Sequence, residues 1–176
     1  MEEVLVMVLR VAHIGAAVFW VGAAYTFFGF VEPTLKSLGP ETTKNFMDHI
    51  VKRRRFPTMV IGASFVTVVA GLLLYWRASD GLDVNWITAP MGLGFTLGGL
   101  AGIAALLLGA VVIGPTIGRL EKLGAEVEGQ GGPPTPEQAG QFQALDKRLR
   151  QAGIADFVLL TAALFFMAIS RYLPPA

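Results

Sequence analysis

Val4–Val31 reads VLVMVLRVAHIGAAVFWVGAAYTFFGFV, and this apolar stretch decides the fold class. A helix needs about 20 such residues to cross the hydrocarbon core of a bilayer, and this run exceeds that length. The acidic residues Glu2 and Glu3 before it, and the lack of a small-residue cleavage site, argue against a removable signal peptide. We therefore expect Val4–Val31 to remain in the protein as a membrane span.

Three further apolar segments are long enough to span a membrane: Phe56–Trp76, Pro90–Gly114 and Ile154–Tyr172. Only 15% of the residues are charged, against about 25% in soluble domains. The sequence predicts an all-α protein, a four-transmembrane-helix bundle that forms one integral membrane domain over residues 1–176. The chain contains no cysteine, which excludes disulfides, iron–sulfur clusters and thiolate metal sites.

Basic residues concentrate in two of the segments between the spans, residues 32–55 and residues 115–153. Cytoplasmic loops carry the excess of lysine and arginine. We therefore expect both segments to be cytoplasmic loops of a multi-pass protein of the cell (inner) membrane, with both termini outside. The run Arg53-Arg54-Arg55 beside a span is typical of a topology signal or an anionic-lipid contact, so no nucleic-acid partner is predicted.

Local signals predict helices within these basic segments. Residues 41–52 fit a short helix lying at the membrane surface. Thr135-Pro136-Glu137-Gln138 has the pattern of an N-cap, a first-turn proline and a capping box, from which a helix can continue into the fourth span. Asp156, near the start of that span, is expected to pair with an arginine of residues 148–150.

A short internal repeat relates the two halves of the chain. Glu32-Pro33-Thr34-Leu35 follows the first span and Gly114-Pro115-Thr116-Ile117 follows the third, and each precedes a basic segment. This pattern favours two parallel helix-hairpin repeats related by an axis along the membrane normal.

Glycines recur at helical spacing in two spans. They are Gly15, Gly22 and Gly29 in the first span and Gly94, Gly98 and Gly102 in the third. Small residues at such spacing let helices approach closely, so we expect both stripes to pack inside the bundle. The alternative is that a flat macrocycle, such as haem, lies against a glycine face.

His13 is the only histidine in a membrane-length segment, where an ionisable group is costly to bury. At helical periodicity it shares a face with Ala17, Trp20 and Ala24. This face combines one ligand with aromatic and small residues, which would suit a buried cofactor bound by His13 and Trp20. Three uses of its imidazole remain open: ligation of a haem or metal, a hydrogen bond across helices, or proton transfer. The other histidine, His49, is expected at the surface, which excludes a bis-histidine haem within one chain.

Methionines supply the candidate second ligand. His13 lies one helical turn from Arg10, and Met167 lies one turn from Arg171. If both arginines mark the headgroup level, the two residues have the same depth. Met167 is then the candidate second axial ligand for iron, or a soft partner for copper. Two more methionines lie toward the same side and would suit copper, Met7 and Met91.

Three arginines are placed to form a basic rim at the outer end of the bundle: Arg10, Arg77 and Arg171. A guanidinium offers paired, charge-assisted hydrogen bonds to a carboxylate, so this rim would suit the propionates of a haem. Arginines at this depth also extend to lipid phosphates, and that alternative stays open.

The spacing of His13, Trp20 and Gly22, with Pro33 after the span, resembles the first span of the CopD-like membrane superfamily. This group includes the copper-resistance CopD domain and the HemJ-type protoporphyrinogen oxidases. The resemblance implies a four-helix bundle and, for the HemJ branch, a b-type haem bound through the histidine matched by His13. That branch also uses a lysine in its third span. Met91–Gly114 contains none, so a haem-binding or accessory role is inferred in place of the oxidase activity.

Three functions are consistent with these features. The first is a b-type haem-binding membrane protein with His13 as axial ligand, serving electron transfer or as an accessory subunit of a respiratory-type complex. The second is a copper-handling protein that uses His13 with methionines. The third is a cofactor-free subunit that packs within a larger membrane complex or a homo-oligomer in the lipid bilayer.

Overall fold

The computed structural model describes residues 2–175, and these form helices joined by short turns, with no strand among them. The helices are α1 (Glu2–Leu38), α2 (Pro40–Asp48), α3 (Phe56–Ala78), α4 (Val84–Thr88), α5 (Pro90–Gly129) and α6 (Pro136–Ser170). Helices α1, α3, α5 and α6 are long and apolar enough to cross a membrane. This confirms the predicted all-α fold with four membrane-length helices, and it indicates a multi-pass membrane protein.

The long helices alternate in direction, so the bundle has two distinct ends. At one end Arg77 forms an ion pair with Glu2 at 2.8 Å, and the Met91 amide donates to the Pro174 carbonyl at 3.1 Å. We call this the terminal end, because the first and last parts of the described range 2–175 lie there. At the opposite end, Lys44 pairs with Glu128 at 3.4 Å. We call that one the basic end, because the two basic segments lie there.

The basic segments are mostly helical, although the sequence predicts loops over residues 32–55 and 115–153. Helix α6 has 35 residues, so it is about 52 Å long at about 1.5 Å per residue and exceeds the roughly 30 Å of a hydrocarbon core. It begins with the predicted capping box, in which the Thr135 hydroxyl accepts from the Gln138 amide and the Gln138 side chain accepts from the Thr135 amide. The predicted surface helix also forms, as α2 followed by a widened turn over His49–Arg53.

Helices α1 and α5 each contain a π-helical turn, in which the hydrogen bonds widen to five residues. These turns are Phe27–Val31 and Gly109–Ile113, and each ends two residues before a proline, Pro33 or Pro115. Proline has no N–H, and its ring clashes with the carbonyl four residues earlier. The widened turn moves that carbonyl aside, so each helix continues through its proline instead of ending there.

The bundle consists of two closely packed helix pairs, α1 with α3 and α5 with α6. Its central cluster joins the pairs through Trp20, Ala24, Ala105 and Leu160, which come from α1, α5 and α6. Helices α1 and α6 touch mainly toward the basic end. There the Tyr25 hydroxyl lies 2.7 Å from that of Thr161, in a hydrogen bond between the two helices.

The two glycine stripes behave differently. Gly94 and Gly98 pack directly on α6, as predicted, where a Cβ on Gly98 would lie 3.2 Å from atoms of Met167 and Phe166. Gly102, the third member of that stripe, departs from the prediction, because its Cβ would meet no atom of the described chain within 4 Å. The stripe on α1 corrects the prediction: a Cβ on any of its members would meet no atom of the described chain within 4 Å. Those members are Gly15, Gly22 and Gly29. Spacing alone does not identify the partner of a stripe, and this one faces outward from the bundle.

The contact between Gly153 and Phe28 provides a test of how α1 and α6 pack. No Cβ fits at Gly153 beside the Phe28 ring, whereas a Cβ at Gly140 of the same helix meets nothing within 4 Å among the described residues. Overpacking lowers the free energy of unfolding by about 1–3 kcal/mol. Alanine in place of glycine within a helix raises it by about 1 kcal/mol. We therefore expect Gly153→Ala to lower the free energy of unfolding by up to about 2 kcal/mol, measured by unfolding in mixed micelles. Gly140→Ala should be neutral or stabilising, and equal effects of the two variants would contradict this packing.

Candidate functional site

His13 lies between α1 and α3 and forms a hydrogen bond across the two helices. Its Nδ1 is 2.8 Å from the carbonyl oxygen of Thr67. A carbonyl can only accept, so the proton of a neutral imidazole must be on Nδ1, and Nε2 keeps its lone pair. The hydrogen bond across helices, one of the three uses predicted for this residue, is therefore present. It leaves one ring nitrogen that can bind a metal.

Gly71 makes this position possible, because the imidazole lies where a side chain would otherwise be. A Cβ built on Gly71 would come within 2.9 Å of Cε1 of His13 and 3.0 Å of Nδ1. Both residues that hold the imidazole, Thr67 through its backbone and Gly71 through its missing side chain, were missed by the sequence reasoning. The available signal was the run of small and polar residues on one face of α3, Ser64, Thr67 and Gly71.

The face of α1 predicted to carry a cofactor does point into the bundle, but its tryptophan fills the core. Trp20 is only 5% exposed and packs with Ala24, Ala105 and Leu160. His13 is half-buried on the same side of α1. Trp20, seven residues after His13, thus packs between the two helix pairs.

Two of the three predicted rim arginines lie together at the terminal end. Arg10 and Arg77 line an open groove of about 840 Å³, to which Met7 also contributes. Arg77 is already paired there with Glu2 at 2.8 Å, and both side chains are solvent-exposed. Val6 and Ile14 also line this groove and His13 does not, so the groove passes the level of the histidine along α1 without reaching the imidazole.

Arg171 does not line this groove. Its guanidinium carbon lies 5.5 Å from the centroid of the Tyr172 ring, in a cation–π contact just after the end of α6. Both side chains are exposed. Of the three arginines predicted to form the rim, Arg10 and Arg77 therefore line the groove and Arg171 does not.

The predicted ligands His13 and Met167 contact different helices. His13 packs on α3, whereas Met167 lies against Gly98 of α5. Among residues 2–175 there is also no cluster of three or more histidine, cysteine or carboxylate side chains placed to hold a metal ion. Equal depth along the bundle, which the arginine spacing predicts, does not place the two side chains on the same interface.

His49 lies at the basic end, exposed, as predicted. It lines a second groove, of about 360 Å³, together with Asn45, Asp48 and Lys52. Lys52 donates to Asp48 at 2.8 Å, and this hydrogen bond holds the pKa of the Asp48 carboxyl below its usual range. The second histidine thus lies beside a surface ion pair, in the segment before α3.

A scan against protein-family models, a search of curated proteins and a search of solved structures find no match to this chain. The resemblance to the CopD-like superfamily therefore stays a prediction from the first span. Function is therefore inferred from the geometry around His13 and Gly71 and from the groove lined by Arg10 and Arg77.

The glycine that receives the imidazole gives a test of the His13 geometry. Gly71→Ala should push the imidazole away from α3 and break the bond to Thr67, because the new methyl group would contact Cε1 and Nδ1. Imidazole ¹⁵N NMR measures this as loss of the single Nδ1-protonated tautomer, with stability lowered by about 1–3 kcal/mol. Gly62→Ala on the same helix is the control, since its Cβ meets nothing within 4 Å of the described chain. An unchanged imidazole spectrum in Gly71→Ala would disprove the contact.

Proposed function

We propose that this protein is a multi-pass membrane protein that binds haem b through Nε2 of His13. Its role would be in electron transfer or as an accessory subunit of a respiratory-type membrane complex. One observation carries the proposal: Nδ1 of His13 donates to the Thr67 carbonyl at 2.8 Å. Histidine ligands of metals commonly donate their other ring N–H to a carbonyl or carboxylate, which fixes the ring and makes the free nitrogen a better ligand.

The neighbouring side chains suit the same group. Arg10 and Arg77, in the groove that passes the level of the histidine, would bind its propionates through charge-assisted hydrogen bonds. Arg77 would exchange its exposed partner Glu2 for a propionate at little cost, because exposed ion pairs contribute only about 0–1 kcal/mol. When bound, the haem supplies one-electron redox chemistry. The chain's part is to fix the ring of His13 and to neutralise the propionates.

The identity of the second ligand follows from where the methionines lie. Met167 packs against Gly98 on the α5–α6 pair, and His13 packs on the α1–α3 pair. We therefore propose that His13 would be the single residue of each chain that binds the haem iron.

An absorption spectrum of the purified protein, made with ample haem, tests this proposal. Wild-type protein should show a Soret band, and His13→Ala should lose it because the axial nitrogen is gone. His49→Ala is the matched control, since that imidazole lies at the basic end, and it should keep the band. Absence of a Soret band from wild-type protein would refute the proposal. Copper found in that sample would support the copper-handling alternative.

A cofactor-free subunit of a larger complex is the second candidate, and the outward glycine stripe of α1 favours it. Gly15, Gly22 and Gly29 leave open space along one side of the helix. Glycine is enriched where membrane helices contact each other, and it gives little apolar surface to lipid. A wild-type protein that co-purifies with other membrane subunits but carries no haem would favour this candidate over the first.

We also propose an orientation, with the basic end cytoplasmic and both termini outside, and two parallel hairpin repeats. The concentration of lysine and arginine at one end supports the orientation. The π-helical turns before Pro33 and Pro115 support the repeats, because the same local distortion occurs at the matching point of each half.

The absence of native cysteine makes single-cysteine labelling a clean test of the orientation. Tyr172→Cys, at an exposed position at the terminal end, should react in intact cells with a membrane-impermeant maleimide. Gly132→Cys, in the exposed turn at the basic end, should react only after the membrane is permeabilised. The opposite pattern of labelling would reverse the proposed orientation.

A further inference from the structure

Asp156 is a carboxyl group buried inside the bundle toward the basic end. It is 6% exposed and lies on the inward face of α6. On that face it follows Gly153, which contacts the Phe28 ring, and precedes Leu160, a member of the central cluster. Asp156 is therefore at the depth of the last turns of the first apolar stretch, where α1 and α6 meet.

This carboxyl has no partner within residues 2–175: no hydrogen bond or ion pair reaches it. The expected pairing with an arginine of residues 148–150 is wrong, because Arg148 and Arg150 are on the exposed side of α6. Helical geometry explains the error. Residues six and eight positions away point to other faces of the helix, and the buried face near Asp156 carries Ala152 and Gly153.

The elements packed against this part of α6 supply no counter-charge. The π-helical turns Phe27–Val31 and Gly109–Ile113 both pack on α6, and neither contains an ionisable residue. The following part of α5, Gly114–Gly129, also packs on α6, and its charged residues begin at Arg119. The hydroxyl of Tyr25, on α1, is bonded to Thr161. The next charged residue of α1 is Glu32, which is paired with Lys36, and the next of α5 is Arg119, which is exposed.

The surroundings determine which ligand Asp156 can hold. Calcium and magnesium need about six or more oxygen ligands, and no second carboxylate or histidine accompanies this one in a cluster among the described residues. An ionised carboxylate without partners in an apolar interior is costly, so such a group becomes neutral. A single carboxyl can bind one cation without further ligands, and that cation is a proton.

The carboxyl oxygens of Asp156 also reach the surface of the bundle. Within residues 2–175, every fully enclosed side-chain oxygen or nitrogen has a hydrogen bond. Asp156 makes none, so its oxygens are not fully enclosed. Asp156 is the third residue of the apolar segment Ile154–Tyr172, so this accessible surface lies near the aqueous phase at the basic end.

We propose that Asp156 is a proton-binding site: its carboxyl is held protonated between α6 and the two π-helical turns and exchanges its proton with water at the basic end of the bundle. This site lies away from His13 and does not require that a haem be bound. An ionisable residue within a membrane span is typically functional. In the described part of the chain, no second side chain is placed to coordinate a metal ion with Asp156, so the cation that it binds is a proton.

Infrared spectroscopy of the wild-type protein in lipid bilayers tests the proposal, because a protonated carboxyl has a C=O band separate from that of a carboxylate. We expect this band at neutral pH, and we expect it to shift when H₂O is replaced by D₂O. Asp156→Asn, which keeps the shape of the side chain, should remove the band. Asp146→Asn is the matched control on the same helix, since Asp146 is exposed, and it should leave the band in place.

Each other outcome overturns the proposal. Absence of the band at neutral pH means that Asp156 is ionised, and a band that survives in Asp156→Asn belongs to another group. A band that does not shift in D₂O means that the carboxyl is sealed from water and is not an exchange site. If Asp156→Asn does not fold, Asp156→Glu replaces it, and the band should move in frequency while keeping its response to D₂O.

Discussion

The absence of water from the hydrocarbon core is the constraint on which the rest of the structure depends. Every backbone N–H and C=O in that region needs a partner within the protein, so the spanning segments have to be helices. Where Pro33 and Pro115 interrupt the pattern, α1 and α5 widen into π-helical turns instead of ending. Polar side chains follow the same constraint: the His13 imidazole bonds to a backbone carbonyl, and the Tyr25 hydroxyl bonds to Thr161.

Two ionisable side chains of the interior, His13 and Asp156, lie at separate levels of the bundle. Toward the terminal end, His13 lies in the α1–α3 interface, and a groove that contains Arg10 and Arg77 passes its level along α1. Toward the basic end, Asp156 lies on the face of α6 that meets α1. The central cluster around Trp20 separates them with tightly packed apolar side chains. A ligand at one level and a proton at the other would therefore each have their own access route, from opposite ends of the bundle.

Much of the fold could be predicted from the sequence, because spans, caps and inward faces are local properties. Apolar length defines the spans, the capping box at Thr135 defines the start of α6, and helical periodicity places Trp20 and Ala24 inside. The partner of each face could not be predicted, since it depends on how the helices are arranged around one another. The stripe containing Gly22 faces outward, while Gly71, which belongs to no glycine stripe, receives the histidine ring. For the same reason, Met167 and His13 share a predicted depth but pack on different helices.

The continuity of α6 has a mechanical consequence. This helix runs from its cap at Thr135 to Ser170 without a widened turn, whereas α1 and α5 have theirs beside it. Regular helix bends far less readily than π-helical turns, which often mark points of flexure. A force applied to the turn at residues 130–135 would tilt α6, with Asp156, as a rigid rod. The neighbouring helices α1 and α5 would bend at their π-helical turns, at the same level of the bundle. The contacts around that carboxyl are thus the part of the bundle that such a movement would change first.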